Sequence, residues 1–210
     1  MTTKNPPTKS ATRTRNLQRS RQEILDAAFI EVFKNGFQGV SVDEIIKKTD
    51  LTKGAFYHQF PTKMDLGYAL VEEVITPMIL DRWILPLENF KNPLEGILVQ
   101  LQKNIGEVEI DQLKLGCPLN NLVQEMAPVD KGFKKKLETA LELWIDKIEW
   151  HLKRGKKAGY LSDDVSPRDA ANFIVMAHEG FYGMVKGLSD PSLVKSLFKS
   201  IKIYFKSISN

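Results

Sequence analysis

Helix-start punctuation recurs along the chain and restricts its fold more than any other feature of the sequence. Asn92-Pro93, Ser166-Pro167 and Asp190-Pro191 each place a capping residue before a proline. At a first helical position the missing proline N–H costs no hydrogen bond. These pairs predict helices over about 94–108, 168–186 and 192–207. Cys117-Pro118 starts a short helix, and Asp130 caps a long one running to about Lys157. Upstream, Ile24, Leu25, Ala28, Phe29, Val32 and Phe33 recur at helical spacing over 18–35, and Gly36 stands at the expected stop. Ser41-Val42-Asp43-Glu44 is a capping box that opens a short helix ending near Asp50, and Thr52 caps a second, 53–60, that Pro61 helps to end. Thr62 to Asp65 starts a longer helix, with Leu66, Ala69, Leu70 and Val74 on one face, that meets Pro77 and Pro86. Alternating β-branched runs and 20-to-50-residue repeats are absent, so the predicted fold class is all-α.

The charge distribution adds direction. The net charge is +4, but residues 1–63 carry eleven Lys/Arg against six Asp/Glu, and the remainder is slightly acidic. Lys4, Lys9, Arg13, Arg15, Arg19 and Arg21 stand in a segment with no acid and little apolar surface. Residues 1–16 are therefore expected to form a flexible basic arm, suited to nucleic acid, to an anionic surface or to solubility alone. The expected divisions are this arm, a head at 17–63 and a helical body at 64–210. No run reaches the roughly 18 apolar residues of a membrane span, and the N-terminus lacks the apolar core of a signal peptide, so a cytoplasmic protein with no membrane partner is expected. Cys117 is the only cysteine, which fits a reducing compartment and excludes an internal disulfide. His58, His151 and His178 stand at no metal-ligand spacing, and no phosphate loop or Ser-His-acid arrangement can be assembled. No enzyme activity, catalytic residue, metal or cofactor is expected.

Two short helices joined by a tight turn at Asp50-Leu51 and braced by a third are the layout of a helix-turn-helix, whose second helix enters the major groove. The same spacing also suits a purely structural bundle. The surface chemistry of 53–60 favours the first reading. Phe56 and Phe60 are spaced to face inward, while Lys53, Gly54, Tyr57, His58 and Gln59 offer donors, a ring and a position with no side chain. Glycine in a helix costs on the order of 1 kcal/mol against alanine, so Gly54 suggests the close approach of another molecule.

From Arg19 to Leu66 the chain resembles the DNA-binding head of the tetracycline-repressor (TetR) family: ILDAA, then VFKNGFQGVSVDEI, then LTKGAFYHQF followed by PTK. Thr49-Asp50 stands where that family has a small residue and glycine, and Lys47 where alanine is common. Asp50 can visit the left-handed conformation, so the same turn geometry is expected. The resemblance implies that Ser41 caps the second helix beside a phosphate. It further implies that Thr52 caps the recognition helix, that Lys53, Gly54 and Ala55 lie nearest the base edges, and that Tyr57 and Lys63 bind phosphates, with His58 able to do either. Arg15 and Arg19 would add counterion release.

For the body, the resemblance implies a four-helix bundle between two copies built from the last two helices, with Phe181, Met184, Leu197, Ile201 and Phe205 as interface residues. Closing the monomer core is the alternative role for these helices. It also implies an apolar cavity for a small apolar or amphipathic ligand, lined by Trp83, Leu101, Ile105, Cys117, Leu122 and Met126. Trp144 and Ile148 complete that lining, and Asn121, His151 and Glu179 are candidate polar anchors. The expected function is a dimeric regulator, by implication a repressor, that binds a palindromic operator and is released by a ligand. The helix starting at Thr62 would be its lever. The alternative is an architectural DNA binder with no ligand control.

Overall fold

The computed structural model describes residues 9–210, and side chains from residue 17 onward. The chain divides into two compact units, Met1–Leu70 and Val71–Asn210. Among the described residues every named element is helical, and the only β pairing is an isolated antiparallel bridge between Leu161 and Ser209.

The first unit holds α1 (Lys9–Asn35), α2 (Val42–Ile46), α3 (Lys53–Gln59) and α4 (Lys63–Ala69). Its core joins Ile24, Leu25, Ala28 and Val32 of α1 to Ile45, Phe56, Phe60 and Leu66, all buried. Phe29 and Phe33 are half-buried and stack at 5.8 Å. α1 begins at Lys9 rather than near residue 18, so 9–16 of the expected arm are helical here; residues 1–8 lie outside the described residues. Adding residues to an existing helix gains one hydrogen bond per residue fixed, whereas nucleation does not, so polar residues with tolerable propensity extend it. Gly36 ends α1 in the left-handed region, at φ 80°, and its N–H donates to the Val32 carbonyl at 2.9 Å.

The turn between α2 and α3 departs from expectation. Asp50 is not left-handed, because the only positive-φ non-glycine among the described residues is Ser189. The turn is closed by polar groups instead. Lys48 and Thr49 N–H donate to the Ile45 and Ile46 carbonyls at 3.0 Å, Thr49 Oγ1 accepts from Leu51 N–H at 3.2 Å, and Glu23 of α1 accepts from Asp50 N–H at 3.0 Å. With the orphaned amides satisfied in this way, no glycine-like residue is required.

The second unit contains α5 (Thr76–Ile79), α6 (Pro93–Leu101), α7 (Ile110–Leu113), α8 (Pro118–Met126), α9 (Lys131–Lys157), α10 (Pro167–Leu188) and α11 (Ser192–Ile208). The long helix expected after Thr62 is interrupted by wide π-helical turns at Leu70–Ile75 and Leu80–Ile84 and by a 3₁₀ segment at Leu85–Asn89. Pro77 and Pro86 supply no N–H to the preceding turn, and the Thr76 hydroxyl donates to the Val71 carbonyl at 2.7 Å. A third π-helical turn, Gln102–Gly106, follows α6, and α7 is a helix with no cap or period strong enough to be read from the sequence.

The body core is built on α9. Phe133, Leu137, Ala140, Trp144, Ile148, Leu152 and Gly155 recur every three or four residues on its buried face, which packs mainly against Ala170, Ala171, Ile174, Val175 and His178 of α10. Gly155 has a specific reason. A Cβ there would lie 2.4 Å from Pro93 Cγ and 2.6 Å from Pro93 Cδ. The proline ring is rigid and cannot turn aside, so Gly155→Ala should cost about 1–3 kcal/mol by overpacking. A thermal unfolding midpoint unchanged from the wild type would contradict this contact.

Candidate nucleic-acid interface

Each short helix of the head is started by a side-chain cap. Ser41 Oγ accepts from Glu44 N–H at 3.2 Å, and the Glu44 carboxylate takes the Ser41 N–H and hydroxyl at 2.7 Å each. The backbone hydrogen bond from Ser41 holds the Glu44 carboxyl below the usual carboxylate range. Its depressed pKa means that the cap contributes stability above the ordinary glutamate range and loses it as pH falls through the lowered value. Thr52 Oγ1 accepts from Ala55 N–H at 3.2 Å to start α3, and Thr62 forms a second capping box with Asp65 at 2.7–3.1 Å to start α4.

α3 separates its faces sharply. Phe56 and Phe60 are 0% and 1% exposed, whereas Tyr57 is 47% exposed, and Lys53, Gly54 and His58 are also exposed. Ala55 is half-buried, Ser41, Thr52 and Arg19 are exposed, and Lys63 is half-buried with its ammonium 4.7 Å from the Phe37 ring centroid. Tyr57 sets its ring edge-on to Phe56 at 5.2 Å, which orients the phenol outward. The far end of α3 is fastened to α1. The Arg21 guanidinium sits 4.3 Å over the Phe60 ring and donates to the Gln59 carbonyl at 3.2 Å, while Gln59 Nε2 donates to the Leu17 carbonyl at 3.0 Å. A cation at a helix C-terminus also suits its dipole.

Three positioning residues escaped the sequence reading. Arg21 and Glu23 belong to α1 and act across sequence separations that local patterns do not register. Asp43 pairs with Lys53, the ammonium lying 2.8 Å from Asp43 Oδ1, and that hydrogen bond raises the Lys53 pKa. The pair is exposed and screened, so Lys53 can exchange it for another acceptor at little cost.

In the body, Trp83, Leu101, Trp144 and Ile148 do line one cavity, together with Ile97, Gln100, Ile174 and His178, but its volume is only about 20 Å³. Glu179 Oε1 lies 2.8 Å from His178 Nδ1, and Cys117, His178 and Glu179 bring their ligand-type atoms within 4.8 Å of one another. Burial, then the nearby Glu179 carboxylate, pushes the Cys117 thiol well up. Leu122 and Met126 are buried in the core.

Other expected pocket residues are placed elsewhere. Ile105 lines a surface groove with Val194 and Phe198, because the π-helical turn after α6 aims it toward α11. His151 lines a different groove, with Glu88 3.8 Å away and Trp150 edge-on at 4.8 Å. Its position on α9, seven residues beyond Trp144, puts it about two turns along. Asn121 clamps a turn and is not among the residues lining the cavity of Trp83 and Trp144. Its Nδ2 donates to the Leu115 carbonyl at 2.8 Å, its Oδ1 accepts from Lys186 at 2.9 Å, and a Cβ on the left-handed Gly116 would fall 2.8 Å from that oxygen.

The expected interface residues divide as well. Phe181, Ile201 and Phe205 are buried within the protomer, Leu197 is half-buried, and Met184 is 51% exposed. Phe181 follows Ile174 and His178 on the inner face of α10, so the helical period takes it inward. The outward face carries Phe173, Met176, Met184 and Leu188, and hypothetical Cβ atoms on Gly180, Gly183 and Gly187 would meet nothing within 4 Å.

Residues 24–70 match the family described as bacterial regulatory proteins, tetR family, and residues 93–201 match the tetracyclin repressor-like C-terminal domain. The chain is 29% identical over 201 residues to an uncharacterized HTH-type transcriptional regulator in the lacX 3′ region of Lactococcus lactis subsp. lactis, covering 92% of this chain and 96% of the relative. It is 29% identical over 163 residues to the transcriptional regulator AcuR of Cereibacter sphaeroides, covering 77% of this chain and 74% of that protein. The crystal structure of a regulatory protein TetR from Rhodobacter sphaeroides superposes with a TM-score of 0.75 at 28% identity, covering 87% of this chain and 96% of that one. A regulator from Saccharomonospora viridis, solved in complex with choline, shares the fold with a TM-score of 0.75 at 16% identity, over 92% of this chain and 99% of that one. No described helix is long and apolar enough to cross a membrane.

Proposed function

Since this chain belongs to the tetR family of bacterial regulatory proteins and is a DNA-binding transcriptional regulator, we propose that it binds a palindromic operator as a homodimer, acts in the cytoplasm as a repressor, and is released by a small molecule. The observation that carries this is the division of α3. Phe56 and the following Phe60 are buried in the core of the head, and the exposed face of α3 consists of Lys53, Gly54, Tyr57 and His58. Lys53, Gly54 and Ala55 approach base edges, while Ser41, Thr52, Tyr57 and Lys63 bind phosphates and set the register, with His58 and Arg19 adding contacts.

A single head covers little DNA, so two copies supply the specificity. The exposed Met176 and Met184 beside the open glycines of α10 support pairing there, since glycines let a second helix come close. Release is a shift in population. A ligand that binds better to a dimer form of low operator affinity lowers occupancy by that difference in affinity.

Selection of bound DNA from a random pool with the purified protein should recover an inverted repeat; recovery of no shared sequence would favour an architectural binder instead. Tyr57→Ala should then weaken binding to the repeat and to random DNA alike. Lys53→Ala should in addition relax preference at the base pair it reads, by about five- to hundredfold. Equal losses on all sequences for Lys53→Ala, measured by competition at fixed salt, would assign that lysine to the backbone.

A further inference from the structure

Among the described residues, three buried side-chain polar atoms have no hydrogen-bond partner, all in the body: Trp144 Nε1, His178 Nε2 and Glu179 Oε2. Trp144 and His178 are 2% and 4% exposed and line the same cavity of about 20 Å³. Buried polar groups are ordinarily satisfied, so two orphans on residues that line one cavity point to an occupant.

Their chemistry limits what that occupant is. Glu179 Oε1 stands 2.8 Å from His178 Nδ1. Beside a carboxylate, a neutral imidazole donates from Nδ1 and leaves Nε2 as a lone pair, and this is the form considered for His178. The Trp144 indole N–H only donates. A space of this volume holds about one oxygen atom. A hydroxyl group completes the set, because its oxygen accepts from the indole and its proton goes to the imidazole. A ketone, ether or carboxylate oxygen has no proton for His178, and an ammonium has no lone pair for Trp144. Ile97, Leu101, Ile148 and Ile174 make the rest of the lining apolar, apart from the buried Gln100 amide and the Trp83 indole.

We propose that this cavity is the hydroxyl-recognition point of the body's ligand site, and that the ligand class is small, otherwise apolar alcohols and phenols. The assignment rests on the ligand-responsive function proposed above. Room for the carbon body has to come from the walls, and two of these adjoin wide helical turns. Trp83 stands on the π-helical turn Leu80–Ile84, and Leu101 directly precedes the π-helical turn Gln102–Gly106. Such turns are rare and concentrate at functional sites. A change from i→i+5 to i→i+4 pairing moves the side chains on them without dismantling the helix.

The test titrates the full-length protein with phenol, anisole and toluene, followed by calorimetry, and repeats the phenol titration on Trp144→Phe and Glu179→Gln. Phenol should bind at least about tenfold more tightly than anisole or toluene, and each variant should lose about tenfold or more in phenol affinity, as for a buried hydrogen bond removed. Equal affinity for phenol and anisole overturns the proposal, as does full affinity in both variants. So does an absence of phenol binding, which would leave the place to a water molecule. The comparison of the three compounds on the unmodified protein holds even if Trp144→Phe fails to fold. Operator release is read separately. Phenol that binds as described without loosening DNA would sink ligand release and leave the hydroxyl site standing. Release by toluene that persists in Glu179→Gln would do the reverse.

Discussion

Replacing Phe56 by alanine is expected to unfold the DNA-binding head and leave the body folded. Phe56 is 0% exposed and packs against Phe60 at 5.8 Å and Tyr57 at 5.2 Å between ring centroids. Truncating a buried phenylalanine to alanine costs about 3–5 kcal/mol through lost transfer energy and the cavity left behind. At roughly 0.05–0.15 kcal/mol per residue, a unit of this size has about 3–10 kcal/mol of stability, so this loss removes much or all of it. The three tryptophans, Trp83, Trp144 and Trp150, all lie in the second unit, so the two units can be read apart. Tryptophan emission should keep its unfolding transition, while amide exchange protection over residues 17–70 and all sequence-specific DNA binding disappear. A Phe56→Ala protein that still protects those amides would show that this ring is not the keystone of the head.

Gly54→Ala should move stability and DNA affinity in opposite directions. A Cβ on Gly54 would meet only Thr52 Oγ1, at 3.7 Å, an ordinary contact, and the residue is exposed in the first turn of α3. Nothing inside the protein therefore requires glycine there, and alanine should stabilise the helix by up to about 1 kcal/mol. The same methyl projects from the face proposed to meet DNA and would hold the backbone away from it. Operator affinity should fall at least about tenfold, comparable to the loss of one good base contact. A gain in thermal stability with unchanged operator affinity would mean that α3 does not approach DNA through this position. Neither prediction depends on the ligand, so both can be tested before one is identified.

The two substitutions also mark the difference between what a local pattern conveys and what packing decides. Helix starts at Val42, Lys53, Lys63, Pro93, Pro118, Lys131 and Pro167 coincide with the caps and prolines read from the sequence, whereas α11 starts at Ser192, one residue after the proline expected to open it. A cap is a contact between residues two or three apart, and its energetics are nearly complete within that window. The inward placement of Phe56 and Phe60 was legible for a similar reason, because a four-residue spacing settles which side chains share a face.

Matters that depended on distant neighbours could not be read in this way. The Asp50 N–H donates to the Glu23 carboxylate, and the end of α3 is held by Arg21, so neither the turn geometry nor those two roles could be read from 41–60 alone. Glu179 is legible as a candidate polar anchor, but its place beside His178, with Trp83 and Trp144 against that imidazole, requires three separate segments to meet.

By itself the sequence determined an all-helical chain, the capped helix starts and the polar face of α3, because propensity, capping and periodicity act over a few residues. Only the tertiary structure decided that Phe181, Ile201 and Phe205 serve the protomer core, that His151 and Asn121 stand away from the cavity, and that Trp144 and His178 face one space. Burial is a property of what packs against a residue, and the packing partners here lie tens of residues away along the chain.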